Sequence, residues 1–435
     1  MMVNHSEFRT DTRVIRKGTG SSLRELKADT CIVGAGIAGV SAALEAARLG
    51  HHVALVDSLP ALGGQAVNSI IGAFCGLFAN GRDGYQLTHG IADDILRDLG
   101  TAGALHYRKN GFWTTVVYDE VALSRWIENA VYSAGITLIL GAVLRGVSNE
   151  DRRIRYIDLA TRYGDVRLTA NAFVDATGDA ALAWHAGLPC REPEKGTVYG
   201  SHMVVVEGIN EEKYPEREEI SRRLKERAGD YGLIRRDGFA FAFPGRGTAL
   251  VNMTHVETPL EPVAAAAKAI EGKAQADKTV QFLKLEFPEA FGNARVRSYG
   301  LPGIRQTRWI VGRQQLTIDD VRTGRRFPDA IARTGWALEL HDRLEGYAWE
   351  AFSEDHVHYV PMGSLTPPDV DNLVAVGRCI DGDLAALSSV RVMGPCIAMG
   401  AAAAHALDLA GTGSVHQIDN AALQERVKDN VIRTD

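Results

Sequence analysis

Apolar residues alternate along this chain between runs of strand length and stretches with helical spacing. A short apolar run, Cys31 to Val33, leads into Gly34-Ala35-Gly36-Ile37-Ala38-Gly39 and then into an alanine-rich helical pattern that lasts to Leu49. Gly50 stops that helix, and a second apolar run, Val53 to Val56, ends at Asp57. The order strand, glycine-rich turn, helix, strand predicts a βαβ unit with parallel strands. Farther on, Asn110-Gly111 between two apolar, aromatic runs predicts a hairpin. Asp119 to Ala134 predicts a helix closed by Gly135, and Ile136 to Leu140 a buried strand that joins the first two. Alternation near Val143 to Val147, Ile154 to Ala160 and Val166 to Leu168 predicts an antiparallel meander. A further apolar strand from Phe173 runs into the small-residue turn Ala176-Thr177-Gly178-Asp179. Near the C-terminus, Leu373 to Val376 reads as a strand and Gly377-Arg378 as a close turn. Gly394-Pro395 opens a long helix of small residues, since proline is tolerated in a first turn.

Between about Gly187 and Tyr359 the pattern changes to strand-like runs at Met203 to Val206, Phe239 to Phe243 and Thr248 to Met253, with a helix-rich interval around 255–287. Gly245-Arg246-Gly247-Thr248 lies between two of those runs and reads as a hairpin turn, so this part contains no second βαβ glycine fingerprint. The expected layout is an N-terminal extension over 1–27, a discontinuous nucleotide-binding domain over 28–186 and 362–412, an interleaved α+β substrate domain over 187–361, and a C-terminal helix or tail over 413–435. The fold class is therefore α/β.

Composition narrows the function classes. With 435 residues and 46% hydrophobic content the chain can build substantial cores, and a net charge of −6 gives no reason to expect nucleic acid or an anionic membrane as a partner. Five cysteines, at 31, 75, 190, 379 and 396, show no CxxC pairing, so no iron–sulfur centre or other metal site is expected. Their spacing suits a reducing cytoplasm. Arg9, Arg13, Arg16, Lys17, Arg24 and Lys27 make a basic lead-in without the apolar core of a signal peptide. Ile397 to Ala410 is too short to span a bilayer and contains His405 and Asp408, which predicts a buried helix.

The glycine turn carries the first chemistry. Gly34 allows a tight turn, Gly36 lets a pyrophosphate approach the backbone of Ile37 and Ala38 at the helix N-terminus, and Gly39 lets helix and strand pack closely. Asp57 is placed for the ribose hydroxyls of an adenosine, with Ser58 beside it. The continuation Leu62-Gly63-Gly64-Gln65 brings the backbone back to the cofactor, which a nicotinamide dinucleotide does not require and FAD does. FAD is expected, held noncovalently because no histidine-attachment motif follows Gly64.

This arrangement resembles the glutathione-reductase-like flavoproteins, which implies an FAD-binding Rossmann domain made of a parallel sheet plus the antiparallel meander. The disulfide reductases of that group carry two cysteines just after the glycine pair; here Ala66 and Ile71 stand in their place, and a dithiol relay is excluded. In the same superfamily a turn such as Thr177-Gly178-Asp179 returns the chain to the pyrophosphate and adenosine side. Gly303 to Ile331, Tyr359 to Ile380 and Ser389 to Gly400 resemble blocks of the FAD-dependent oxidoreductase family, a branch of this fold. The resemblance implies cofactor contacts at Gly377, Arg378, Asp381, Arg391, Val392, Met393, Gly394, Pro395 and Cys396, and Asn68, Ser69 and Val143 complete the expected set. The helix that begins at Gly394-Pro395 would point its positive end at the pyrimidine edge of a flavin.

Candidate catalytic groups come from segments expected near the flavin face. Arg305 and Arg308 offer guanidinium forks for a carboxylate or a polarised oxygen. His356 and His358 lie just before the Tyr359 strand, where alternation puts both on one side, and either suits proton transfer. His202 with Tyr199 is a rival pair, and Cys75 is a candidate flavin-face thiol or covalent anchor. His341-Asp342, read as helical neighbours, ranks below these because adjacent helix residues do not face each other. The expected function is an FAD-dependent oxidoreductase that exchanges a hydride with a small polar or anionic molecule. A flavin monooxygenase and an electron-transfer subunit are the alternatives. A small-molecule substrate is the expected partner, with a second copy of the chain or a redox protein as further options.

Overall fold

The computed structural model describes residues 12–14 and 23–433. The expectation for the basic arm at Arg9, Arg16 and Lys17 lies outside the described residues. Strand β1, Arg24–Val33, begins inside the segment assigned to an N-terminal extension and is longer than its apolar end suggests. Its first half alternates exposed and partly buried positions, and only Leu26 and Ala28 turn to the core. A half-exposed strand shows no apolar run, which is why only Cys31 to Val33 stands out in the sequence.

Helix α1, Ile37–Arg48, and strand β2, Val53–Asp57, complete the βαβ unit, with β1 and β2 parallel from Thr30↔Val53 to Val33↔Val56. The main sheet places Thr137–Leu140 outside β2, then β2, β1, Gly164–Asp175, Arg153–Thr161 and Ala142–Glu150. The expected meander is present, but its last strand and the Phe173 strand are one continuous element, Gly164–Asp175. Its first half pairs antiparallel with Arg153–Thr161, and Val166 to Asp175 pair parallel with β1. Thr137–Leu140 is an edge strand and only half-buried, unlike the buried strand expected there, because nothing pairs on its outer side. Leu373–Ala375 adds a parallel strand against Phe173 to Asp175. The carboxyl ends of four parallel segments, at Val33, Asp57, Asp175 and Ala375, therefore open on one edge, the place where α/β sheets bind ligands.

α1 packs on the long helix Met393–Ala410 through small residues. A Cβ on Gly400 would stand 2.2 Å from the Ala38 carbonyl oxygen, and Ser41 Oγ donates to Ile397 O at 2.7 Å. By length and composition Met393–Ala410 could cross a membrane, but 72% of it is buried inside this core.

The middle of the chain forms a four-stranded antiparallel sheet in the order Phe239–Phe243, Thr248–Asn252, Val204–Glu207, Arg295–Tyr299. Helices Arg217–Arg227 and Pro262–Glu286 cover one face with Ile220, Leu224, Val280 and Leu283. The other face, through Met203, Val205, Phe241 and Leu250, meets Ile70 and Val117 from the nucleotide-binding side. Val117 belongs to the hairpin Leu105–Asn110 and Trp113–Tyr118 that Asn110-Gly111 predicts. The space between these two bodies is the site.

Candidate active site

A cavity of about 630 Å³ runs from Asp57 and Ser58, past the glycine turn, to Cys75 and the start of Met393–Ala410, and on to the face of the four-stranded sheet. Gly34 takes φ +106, and a Cβ there would strike the Ala176 carbonyl oxygen at 2.2 Å. A Cβ on Gly39 would meet Gly34 O at 1.9 Å, so this glycine serves packing and does not line the cavity. Gly36 differs: a Cβ there meets nothing within 4 Å, because the space in front of the α1 N-terminus is open cavity. α1 has no side-chain cap, which leaves its first N–H groups, at Ile37 and Ala38, for a ligand.

Asp57 accepts from Ala35 N–H at 2.6 Å on Oδ2 and from Leu59 N–H at 2.8 Å on Oδ1, so each oxygen keeps a lone pair for a hydroxyl. Burial pushes its pKa up, and these backbone donors oppose the shift. Gly63 N–H donates to Ala35 O at 2.8 Å and Gly64 packs on Gly36, which folds the start of helix α2, Gly64–Asn68, onto the first turn. Gln65, Asn68 and Ser69 then line the cavity, with Gln65 Nε2 donating to Ile304 O and Ser69 Oγ to Pro302 O.

Thr177, Gly178, Asp179, Gly377 and Arg378 form the opposite wall. The Arg378 guanidinium lies over Gly178, and its Nη2 is 3.6 Å from Asp179 Oδ1. Its Nη1 is buried with no hydrogen-bond partner. Arg378, with one donor unpaired, and the uncapped N–H groups of α1 line the same cavity, and such donors fit a pyrophosphate. At the far end Gly394 N–H donates to Cys75 O at 3.0 Å, Cys396 N–H bonds Val392 O, and Pro395 has no donor, which leaves Met393 as the first-turn donor at the cavity. Arg391, Val392 and Cys396 also line this end, whereas Gly394 and Pro395 pack behind it against Gly76.

Several expected positions lie elsewhere. Val143 is 57% exposed on Ala142–Glu150, because alternation along that outer strand turns it to solvent. Asp381 is buried outside the cavity, accepting from Arg191 Nε at 2.8 Å and Gly312 N–H at 2.9 Å. Arg308 stacks over the exposed Trp184 ring at 4.2 Å, away from the cavity that Arg305 lines. His356 and His358 do share one side and touch, Nε2 to Nδ1 at 3.2 Å. Ser389 engages the remaining ring nitrogen of His358 at 2.9 Å, and complete burial pushes the His358 pKa down to about 3. Neither imidazole reaches the cavity. His202 is fully buried beside Gly272, and burial with nearby Lys273 lowers its pKa. Tyr199 is stacked on His255 at 5.5 Å, outside the lining. Cys75 does line the cavity, and burial pushes its pKa up, so it stays a thiol.

Glu339, Ser388, Phe239, Phe241, Met203 and Asn252 also line the cavity without having stood out in the sequence as site residues. Glu339 sits in Leu338–Leu340, a strand and not a helix, so His341 turns back to Glu339 instead of pairing with Asp342. A lone acid inside the apolar run Trp336 to Leu340 is the signal that marks it.

No curated protein matches the chain in sequence. Among solved structures, a geranylgeranyl bacteriochlorophyll reductase-like protein from Thermoplasma acidophilum is similar at 12% identity and TM-score 0.49, over 93% of this chain and 83% of that one. p-Nitrophenol 4-monooxygenase from Pseudomonas putida is similar at 11% identity and TM-score 0.45, over 94% and 85%. The flavin-dependent brominase Bmp2 gives 14%, 0.44, 93% and 83%. The model of the family described as FAD dependent oxidoreductase matches residues 29–427, nearly all of the described chain. The chain belongs to the FAD dependent oxidoreductase family, and FAD is its cofactor.

Proposed function

We propose that this oxidoreductase exchanges a hydride between flavin and a small organic molecule with an apolar body and an anionic group. The observation that carries this reading is an excess of buried positive charge on the cavity wall. Arg305 and Arg391 line the cavity, and Arg305 has Arg235 as a further cationic neighbour and Asp237 and Glu339 as acidic ones. Burial and the repulsion of Arg235 and Arg391 lower the Arg305 pKa well below its ordinary value, and burial brings Arg391 to about 10. Cations held this way gain from an anionic partner. Arg305 donates through Nη1 to Tyr199 O at 2.7 Å and through Nη2 to Ser201 Oγ at 2.9 Å, which fixes its plane and leaves further N–H groups of the fork unassigned. Phe239, Phe241 and Met203 supply the apolar wall.

Bound FAD supplies the hydride-accepting and hydride-donating centre. The chain supplies orientation through the arginines and exclusion of water by the apolar wall. Anaerobic mixing with a panel of small carboxylates and their methyl esters tests the reading. The acids should bleach the flavin and the esters should not, and Arg305→Lys should keep FAD while weakening the reaction, because lysine lacks the planar fork. Equal reduction by acid and ester, together with an unaffected Arg305→Lys protein, would contradict it.

A further inference from the structure

Glu339 stands on the cavity wall at the head of a buried hydrogen-bonded row. Its Oε1 is 3.1 Å from His341 Nε2, His341 Nδ1 is 3.0 Å from His255 Nε2, and His255 Nδ1 is 2.9 Å from the Leu344 carbonyl oxygen. His341 is 0% exposed and His255 1%, and the rings of Tyr347 and Tyr199 stack on them, so water is not an alternative partner for either.

The carbonyl at the end of the row fixes where the hydrogens lie. It can only accept, so His255 Nδ1 carries a hydrogen. A neutral His255 then offers a lone pair at Nε2, which requires N–H at His341 Nδ1. A neutral His341 offers a lone pair at Nε2, which requires a hydrogen on Glu339 Oε1. The row is complete only when the trio holds one proton beyond those of two neutral imidazoles. Burial with Arg305 and Arg235 close by disfavours the imidazolium at both histidines. The geometry therefore places the extra proton at the contact between Glu339 Oε1 and His341 Nε2, while Glu339 Oε2 accepts from Trp336 Nε1 at 3.2 Å.

The charged and titratable groups around the trio are Arg305, Arg391 and Arg235, Asp237 engaged by Arg235, and Tyr347, Tyr199 and Cys75. Two effects oppose each other. The hydrogen-bond row holds the proton, because losing it leaves two lone pairs facing across one contact. The arginines favour the carboxylate that remains after the proton leaves. A proton held by geometry and drawn off by charge is one that can be exchanged.

We propose that Glu339 is the catalytic residue that exchanges a proton with the substrate, with His341 and His255 as positioning residues that keep it loaded. This rests on the hydride-exchange reading above. In the direction that reduces substrate, a C=X bond takes a hydride at carbon from reduced flavin and a proton at X from the Glu339 carboxyl. Carboxylate is left beside Arg305. In the reverse direction the C–H electron pair leaves as hydride to oxidised flavin, the X–H proton returns to Glu339, and C=X forms.

Nitrogen-15 NMR of histidine-labelled holoprotein at neutral pH should show His255 and His341 both neutral with hydrogen on Nδ1. Infrared difference spectra of wild type against Glu339→Gln should show a protonated carboxyl in the wild type alone, and carbon-13 labelling of glutamate gives the same readout should the variant not fold. Glutamine can donate to His341 and accept from Trp336, so FAD content should be unchanged. Single-turnover oxidation of the reduced flavin by a C=X substrate should fall by about 10² to 10⁴-fold, with loss of its pH inflection. An imidazolium or an Nε2–H tautomer at His341, absence of the carboxyl band, or a Glu339→Gln protein with wild-type rate and pH profile would overturn the proposal. The NMR and infrared readouts need no substrate and decide it on their own. A wild type that no organic molecule reduces would count against the hydride-exchange reading alone.

Discussion

Asp57 holds two backbone N–H groups while its remaining lone pairs face the adenosine end of the cavity. Asp57→Asn keeps the size of the side chain but replaces one acceptor oxygen by a donor. One lost charge-assisted hydrogen bond, about 1.5–3 kcal/mol, should weaken FAD binding by roughly 10- to 100-fold in a titration of apoprotein. Unchanged affinity would remove Asp57 from the ribose site. Its placement was legible in the sequence because a strand end fixes a side chain to within one residue. Arg308 and His358 were not: the same sequence spacing fits a cavity wall and a sealed core, and only the neighbours Trp184 and Ser389 decide. Glu339 was hidden by the opposite error, since treating His341-Asp342 as helical conceals the contact two residues back that a strand creates.

Among the described helices the most extensive joint is α1 against Met393–Ala410, and Glu45 Oε1 of α1 meets His405 Nε2 there at 3.1 Å. The bond from His405 is the largest influence on Glu45 and holds its pKa below the ordinary 4.5. A carboxylate depressed in the folded state adds stability that is fully present above the unfolded pKa and is lost as pH falls through the folded one. Wild type should therefore lose denaturation midpoint more steeply than Glu45→Gln between about pH 5 and pH 3. Parallel loss in both proteins would show that this joint does not depend on the ion. The βαβ unit, the two hairpins and the long helix were visible from their apolar periods and turn residues. The fusion of the meander with the Phe173 strand was not, because Thr169-Ala170-Asn171-Ala172 between the two apolar runs carries small and polar residues where the strand passes from alternating to continuous burial.

For the whole molecule, the nucleotide-binding edge and the four-stranded sheet make one cavity that neither encloses alone. Its lining extends from Asp57 past the α1 N-terminus and Arg378 to Met393, Cys75 and Glu339. The nucleotide half was readable because glycines and an acid at set spacing have few other uses. The reactive half was not, because it is assembled from segments as far apart in the chain as Ser201, Arg305, Glu339 and Arg391, and sequence order holds no record of that meeting. The length and lining of this cavity suit a complete flavin adenine dinucleotide. Releasing the cofactor from purified protein with acid and weighing it by mass spectrometry should give FAD at one molecule per chain. FMN, or folded protein that neither contains nor takes up a flavin, would contradict the account.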